Sequence, residues 1–85
     1  MTIAGLKSIL GFPKFRVVVE KDIESVLFYW IEEFRWTGWK YVYGTYSENE
    51  NMARVKGIEI VRNYKNYNMS YYHAIIGAPI KDMDK

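Results

Sequence analysis

The chain has no cysteine, no glutamine and one histidine. Without cysteine there are no disulfides, no thiolate metal sites and no thiol catalysis. One histidine leaves little for a histidine-based metal centre or a catalytic triad. No apolar run approaches the ~18 residues that a membrane span needs. Residues 1–14 lack the basic start, long apolar core and small-residue cleavage site of a secretory signal. The sequence has no G-x-G-x-x-G, G-x-x-x-x-G-K-[ST], H-E-x-x-H or G-x-S-x-G motif, so the common phosphate-cradling, zinc-protease and serine-hydrolase signatures are missing. Internal repeats and low-complexity stretches are absent as well.

What remains is 85 residues, 49% hydrophobic and 26% charged, which describes one folded domain. Aromatics make up 18%, led by eight tyrosines and three tryptophans. Buried rings give a small chain more core per residue, and exposed rings favour interfaces. The net charge is only +2, but its sign varies along the chain. Lys7, Lys14 and Arg16 open it without an acid. Glu20, Asp22, Glu24, Glu32 and Glu33 follow, opposed by Lys21 alone. Arg54, Lys56, Arg62 and Lys65 form a later basic stretch interrupted by Glu59. This is the pattern of internal complementarity with a solvated surface, or of a basic stripe for phosphate.

Residues 1–14 read as an N-terminal arm, with Ile3, Leu6, Ile9 and Leu10 on one short helical face and Gly11 and Pro13 ending it. Phe15–Glu20 (FRVVVE) predicts an interior strand, because Val18 is apolar on the face opposite Phe15, Val17 and Val19. Asp22 reads as an N-cap. Ile23, Val26, Leu27, Trp30, Ile31 and Phe34 then recur at helical spacing, and Gly38 sits where a helix would stop. Trp39–Tyr46 predicts a strand with Trp39, Tyr41 and Tyr43 on one face, either as core or exposed. Gly44 would mark a bulge there.

Ser47–Asn51 is read as the loop of a hairpin joining 39–46 to 53–63. The alternative is a short helix opened by a Ser47–Glu50 capping box and stopped by Gly57. Ile58–Tyr64 and Met69–Gly77 predict strands around a turn at 65–68. The expected fold is a small single-domain α+β sandwich, β-α-β-β-β, with an antiparallel sheet and one amphipathic helix on one face. It would occupy 15–78, followed by a polar tail over 79–85. One helix cannot cover four strands, so the remaining sheet face must be polar, covered by the arm, or met by a partner.

His73, beside Tyr71 on the last expected strand, is the only candidate base near neutral pH, and most simply it is bonded to a neighbour. The pairs Glu32–Glu33 and Glu48/Glu50 read as solvated carboxylates, because a domain this small has little room for the cleft of a glycosidase-type pair. No catalytic residue, metal site or cofactor is expected. The binding constellation is Arg54, Lys56, Arg62, Tyr64, Lys65, Tyr67, Tyr71 and Tyr72. Tyr64, Tyr67, Tyr71 and Tyr72 would form an exposed patch around the turn. Trp36, Trp39, Tyr41 and Tyr43 would lie near the basic residues.

Rings beside cations suit either a protein interface or stacking of single-stranded bases. The expected function is a non-enzymatic, cytoplasmic binding protein that acts on an unidentified protein partner and forms a homodimer. The alternative is a single-stranded nucleic-acid binder. Residues 42–61 (VYGTYSENENMARVKGIEIV) resemble one half of a SPOR peptidoglycan-binding domain, where strand, Gly-aromatic step, short helix and strand follow in order. The likeness covers under a quarter of the chain. The equivalent step after FRVVVE is missing, so no site residue is carried over. In size and aromatic richness the chain is similar to accessory proteins of phages and archaeal viruses.

Overall fold

The computed structural model describes residues 13–83. The expected arm lies almost wholly outside them. The element order is β1 (Phe15–Lys21), β2 (Leu27–Arg35), β3 (Gly38–Tyr41), α1 (Glu50–Val61), α2 (Met69–Ile76) and β4 (Ile80–Asp82). The α+β class holds, but the order is β-β-β-α-α-β. Four strands form a mixed sheet in the order β3-β2-β1-β4, with β4 parallel to β1 and the other pairs antiparallel. β1 is therefore interior, as the double-sided valines imply.

The expected helix over 22–34 is not formed; its C-terminal part is β2. Asp22 makes the hydrogen bonds of an Asx turn instead. Its Oδ1 accepts from the backbone of Glu24 and Val26, both at 2.8 Å, and Ser25 takes a φ of 66°. N-caps and Asx turns use the same side-chain-to-backbone chemistry, so an isolated Asp cannot distinguish them. Ile23, placed in the core by helical periodicity, is 100% exposed. Along β2 the chain alternates. Pairing with β1 puts Tyr29 and Ile31 on the face of Val17 and Val19, and Trp30 and Phe28 on the face of Val18. Both faces carry apolar residues, which hides the period of two. The aromatic and β-branched content of Phe28–Ile31 fits a strand. Gly38 closes the β2–β3 turn at a φ of 119°, a left-handed conformation that glycine reaches without strain.

β3 ends at Tyr41, and the chain bends through Gly44, whose φ is 91°. It then returns to β2. The buried Thr45 hydroxyl accepts from Ile31 N at 2.9 Å and donates to Val42 O at 2.8 Å. Ser47 exchanges two backbone hydrogen bonds with Tyr29. The edge of β2 is thus satisfied beyond β3 by an irregular segment.

The expected hairpin strand over 53–63 and the strand over 58–64 are overturned, since 50–61 is α1. The cap is Asn49, whose side chain accepts from Met52 N at 3.0 Å. Gly57 does not stop the helix. The buried residues Ala53, Gly57 and Val61 form a small-residue stripe against the sheet. A Cβ on Gly57 would meet Ile31 Cγ1 at 3.0 Å and Ile75 Cγ2 at 3.6 Å, so α1 approaches β2 about as closely as backbone allows. The helix over 58–61 also removes the last strand of the SPOR-like order. Met69–Ile76, expected as a strand, is α2, capped by Asn68 through Ser70 N. The turn at 65–68 is kept between the two helices. Ile80–Asp82, assigned to the tail on sequence grounds, forms β4. Both helices pack on the Phe15, Val17 and Ile31 face, where the core also takes in Val42, Val61, Ile75 and Ala78.

Candidate binding surface

With both helices on one side, the other side of the sheet carries no helix or strand among the described residues. Its occupants follow from the register. Arg16 and Glu32 pair across β1–β2, Val18 faces Trp30, and Glu20 faces Phe28. Phe34 pairs with Trp39, and Glu32 with Tyr41, across β2–β3. The return through Thr45 then sets Tyr46 over this face. Its ring stacks on Phe28 at 5.0 Å and on Trp30 at 5.7 Å. Phe34 meets Trp39 edge-on at 5.3 Å, and Tyr41 meets Tyr43 at 5.3 Å. Phe34, Tyr41, Tyr43 and Tyr46 are exposed, and Tyr43 reaches 85%.

The charges on this face are already organised. The Arg16 guanidinium lies 4.3 Å from the Trp39 ring centroid and 2.7 Å from a Glu32 carboxylate oxygen. Trp30 Nε1 donates to the other Glu32 oxygen at 3.2 Å. Lys14 sits 5.3 Å from the Phe34 ring and 5.9 Å from that of Trp39. The result is a ring-paved surface with the Arg16–Glu32 ion pair at its centre and Lys14, Glu20 and Lys81 around it. Aromatic rings with arginine are the composition of protein-interface hot spots. Trp39, Tyr41 and Tyr43, left open between core and exposed, lie on this outer face and not under a helix.

The binding residues expected from sequence are not assembled into an exposed patch. Arg54 is turned inward. Its Nη1 donates to the carbonyls of Ile75 and Ile76 at 2.8 and 3.1 Å, and its guanidinium pairs with Glu50 at 3.0 Å. It therefore supplements the C-cap of α2, where the Ile75 carbonyl otherwise accepts only from the backbone of the cap turn. Lys56 Nζ donates to Tyr46 O at 3.3 Å. Tyr64, Tyr67 and Tyr71 pack half-buried against the core, with Tyr71 near Phe15 and both other tyrosines. Rings close to a turn are buried here because the turn joins two helices that fold over them. Arg62 and Lys65 are exposed, and so is Tyr72, beside His73 on α2. The expected ladder between 39–46 and 53–63 does not exist.

Sequence reasoning missed Lys14, Arg16, Phe28, Trp30, Phe34 and Tyr46 as members of one surface. Reading 28–34 with a period of two would have aligned Phe28, Trp30, Glu32 and Phe34. A second feature lies on the helix side of the β2–β3 hairpin. Glu33 Oε1 accepts from Arg35 Nε at 3.1 Å and Nη2 at 2.9 Å. Glu33, with a smaller contribution from Tyr64, holds the Arg35 guanidinium above its ordinary value. No group of three or more potential metal-ligating side chains occurs among the described residues, and none of their helices is long and apolar enough to cross a membrane. Compared with known family models, curated proteins and solved structures, the chain matches none.

Proposed function

We propose that this chain is a small non-enzymatic binding protein whose aromatic sheet face docks a protein partner, in the manner of a viral-type inhibitor or regulator. The observation that carries the reading is the pavement of Phe28, Trp30, Phe34, Trp39, Tyr41 and Tyr46 on a side that no described element covers. At its centre Arg16 and Glu32 neutralise each other, so burying that part of the face strands neither of them. A second copy of the chain would cover the same surface, which supports a homodimer. Affinity capture with the wild-type chain and a Phe34→Ser/Tyr43→Ser variant tests the proposal. The expected result is a stoichiometric protein lost with this variant and kept with Arg62→Glu. Retention by all three, or by none, refutes it. A monomer mass by light scattering refutes the dimer.

One observation favours single-stranded nucleic acid as a second reading: Lys14 and Arg16 lie beside Phe34 and Trp39, as in modules that combine backbone charge with base stacking. Fluorescence anisotropy at two salt concentrations separates the two. Micromolar binding that weakens steeply with salt supports nucleic acid. No binding at low salt removes it.

A further inference from the structure

The β2–β3 hairpin ends in a cleft of about 350 Å³, lined by Glu33, Arg35, Trp36, Lys40, Tyr41 and Tyr64. It is separate from the ring-paved face, although Tyr41 borders both. Glu33 and Lys40 are cross-strand partners, so their side chains leave the sheet on the same side. The Glu33 carboxylate is committed to Arg35. Lys40, by contrast, has no ion-pair or hydrogen-bond partner among the described residues. One carboxylate and two cations leave the lining with a single net positive charge. Trp36 stands at the mouth with 95% of its surface exposed. A tryptophan held in a tight turn, presenting nearly its whole ring to water, has no packing role in the fold.

We infer that this cleft is a carboxylate pocket, which seats one carboxylate of an acidic peptide on Lys40 while the adjoining apolar side chain lies on Trp36. The charge count selects the ligand. A monoanion neutralises the lining, whereas a phosphate dianion leaves an uncompensated negative charge beside Glu33. Arg35, already forked onto Glu33, acts as a fixed wall and not as the primary ligand. The pocket stands on its own, whether or not the aromatic face binds protein.

The test is a titration of the full chain followed through its backbone amide and indole signals at low ionic strength. The probes are acetyl-Phe-Glu-amide, its neutral counterpart acetyl-Phe-Gln-amide, and acetyl-Gln-Phe with a free C-terminal carboxylate. Saturable shifts at Lys40, Tyr41 and the Trp36 indole are expected with both acids. Affinity should exceed that of the neutral probe by up to about five-fold, the upper end for one solvent-accessible ion pair. Whichever acid binds tighter tells a side-chain carboxylate from a chain terminus. Lys40→Gln should abolish the preference, and Lys65→Gln should preserve it. Equal binding of acidic and neutral probes overturns the inference. So do shifts centred on Arg62 and Lys65, the absence of any shift, or tighter binding of inorganic phosphate at the same residues.

Discussion

Gly57 offers a measurement in which two well-known effects oppose each other. On helix propensity alone, Gly57→Ala in the middle of α1 should stabilise by about 1 kcal/mol. The structure predicts the opposite sign. The new methyl would sit 3.0 Å from Ile31 Cγ1, tighter than nearly all carbon contacts. Ile31 cannot turn aside, because it is wholly buried on a central strand and pairs with the equally buried Val17. Overpacking of a closed core costs about 1–3 kcal/mol. The net expectation is a loss of about 1 kcal/mol for alanine and about 3 kcal/mol for Gly57→Val, which adds bulk and β-branching. In a domain of this size each 1 kcal/mol lowers Tm by about 4–8 °C. Thermal unfolding followed by circular dichroism gives both values. The mechanism is isolated by a cycle with Ile31→Ala. Once Cγ1 is removed, the alanine at 57 should become neutral or stabilising, with a coupling of about 1–2 kcal/mol. If Gly57→Ala raises Tm in the wild-type background, the close approach of α1 to β2 is wrong.

Other expectations follow from the buried polar contacts. Thr45→Val keeps the shape but strands Ile31 N and leaves the Val42 carbonyl with only the backbone N–H of residue 45, at 3.3 Å; a loss of about 1–3 kcal/mol is expected by urea unfolding, and Thr45→Ser should recover most of it. Arg54→Met should cost about 2 kcal/mol and speed hydrogen exchange at Gly77 and Ala78, because Ile76 O loses the Arg54 guanidinium and Ile75 O keeps only the backbone donors of the helix end. Unchanged exchange there would argue that Arg54 is a surface cation after all. Asn49→Ala should cost about 1 kcal/mol as a lost N-cap, whereas Glu48→Ala should be neutral.

The sequence was readable where one signal had one meaning. Three successive valines with apolar character on both faces marked β1 as an interior strand, and so it is. Between 22 and 35 two signals overlapped. The apolar positions matched a helical repeat, but they belonged to a strand with side chains packed on one side and rings displayed on the other. Helical spacing in an aromatic run is then coincidence. α1 was obscured for the opposite reason. It buries alanine, glycine and valine, so its inward stripe is small and its larger residues Met52 and Val55 point outward. The binding surface was legible in kind and not in place. Sequence identified rings beside cations, but long-range pairing decided which ones meet. Arg54 shows the limit well: an apparent phosphate ligand in the sequence is a helix cap in the fold.

The three residues of β4 have a consequence for solubility. β1 carries Phe15 and then Val17, Val18 and Val19 in succession, a stretch of high β-propensity flanked by Arg16 and by Glu20 and Lys21. Among the described residues it is shielded on one edge by β2 and on the other by Ile80–Asp82, through the hydrogen bonds from Val17 N to Pro79 O and from Met83 N to Val19 O. Those contacts close over a separation of some sixty residues, so they form late relative to the hairpins. Until they form, or in a chain cut after Pro79, no other described element pairs with that edge of β1, which can then template another copy. A chain ending at residue 79 should therefore give fibrillar, thioflavin-positive material under conditions where the full chain stays clear, and Val18→Lys in that shortened chain should suppress it.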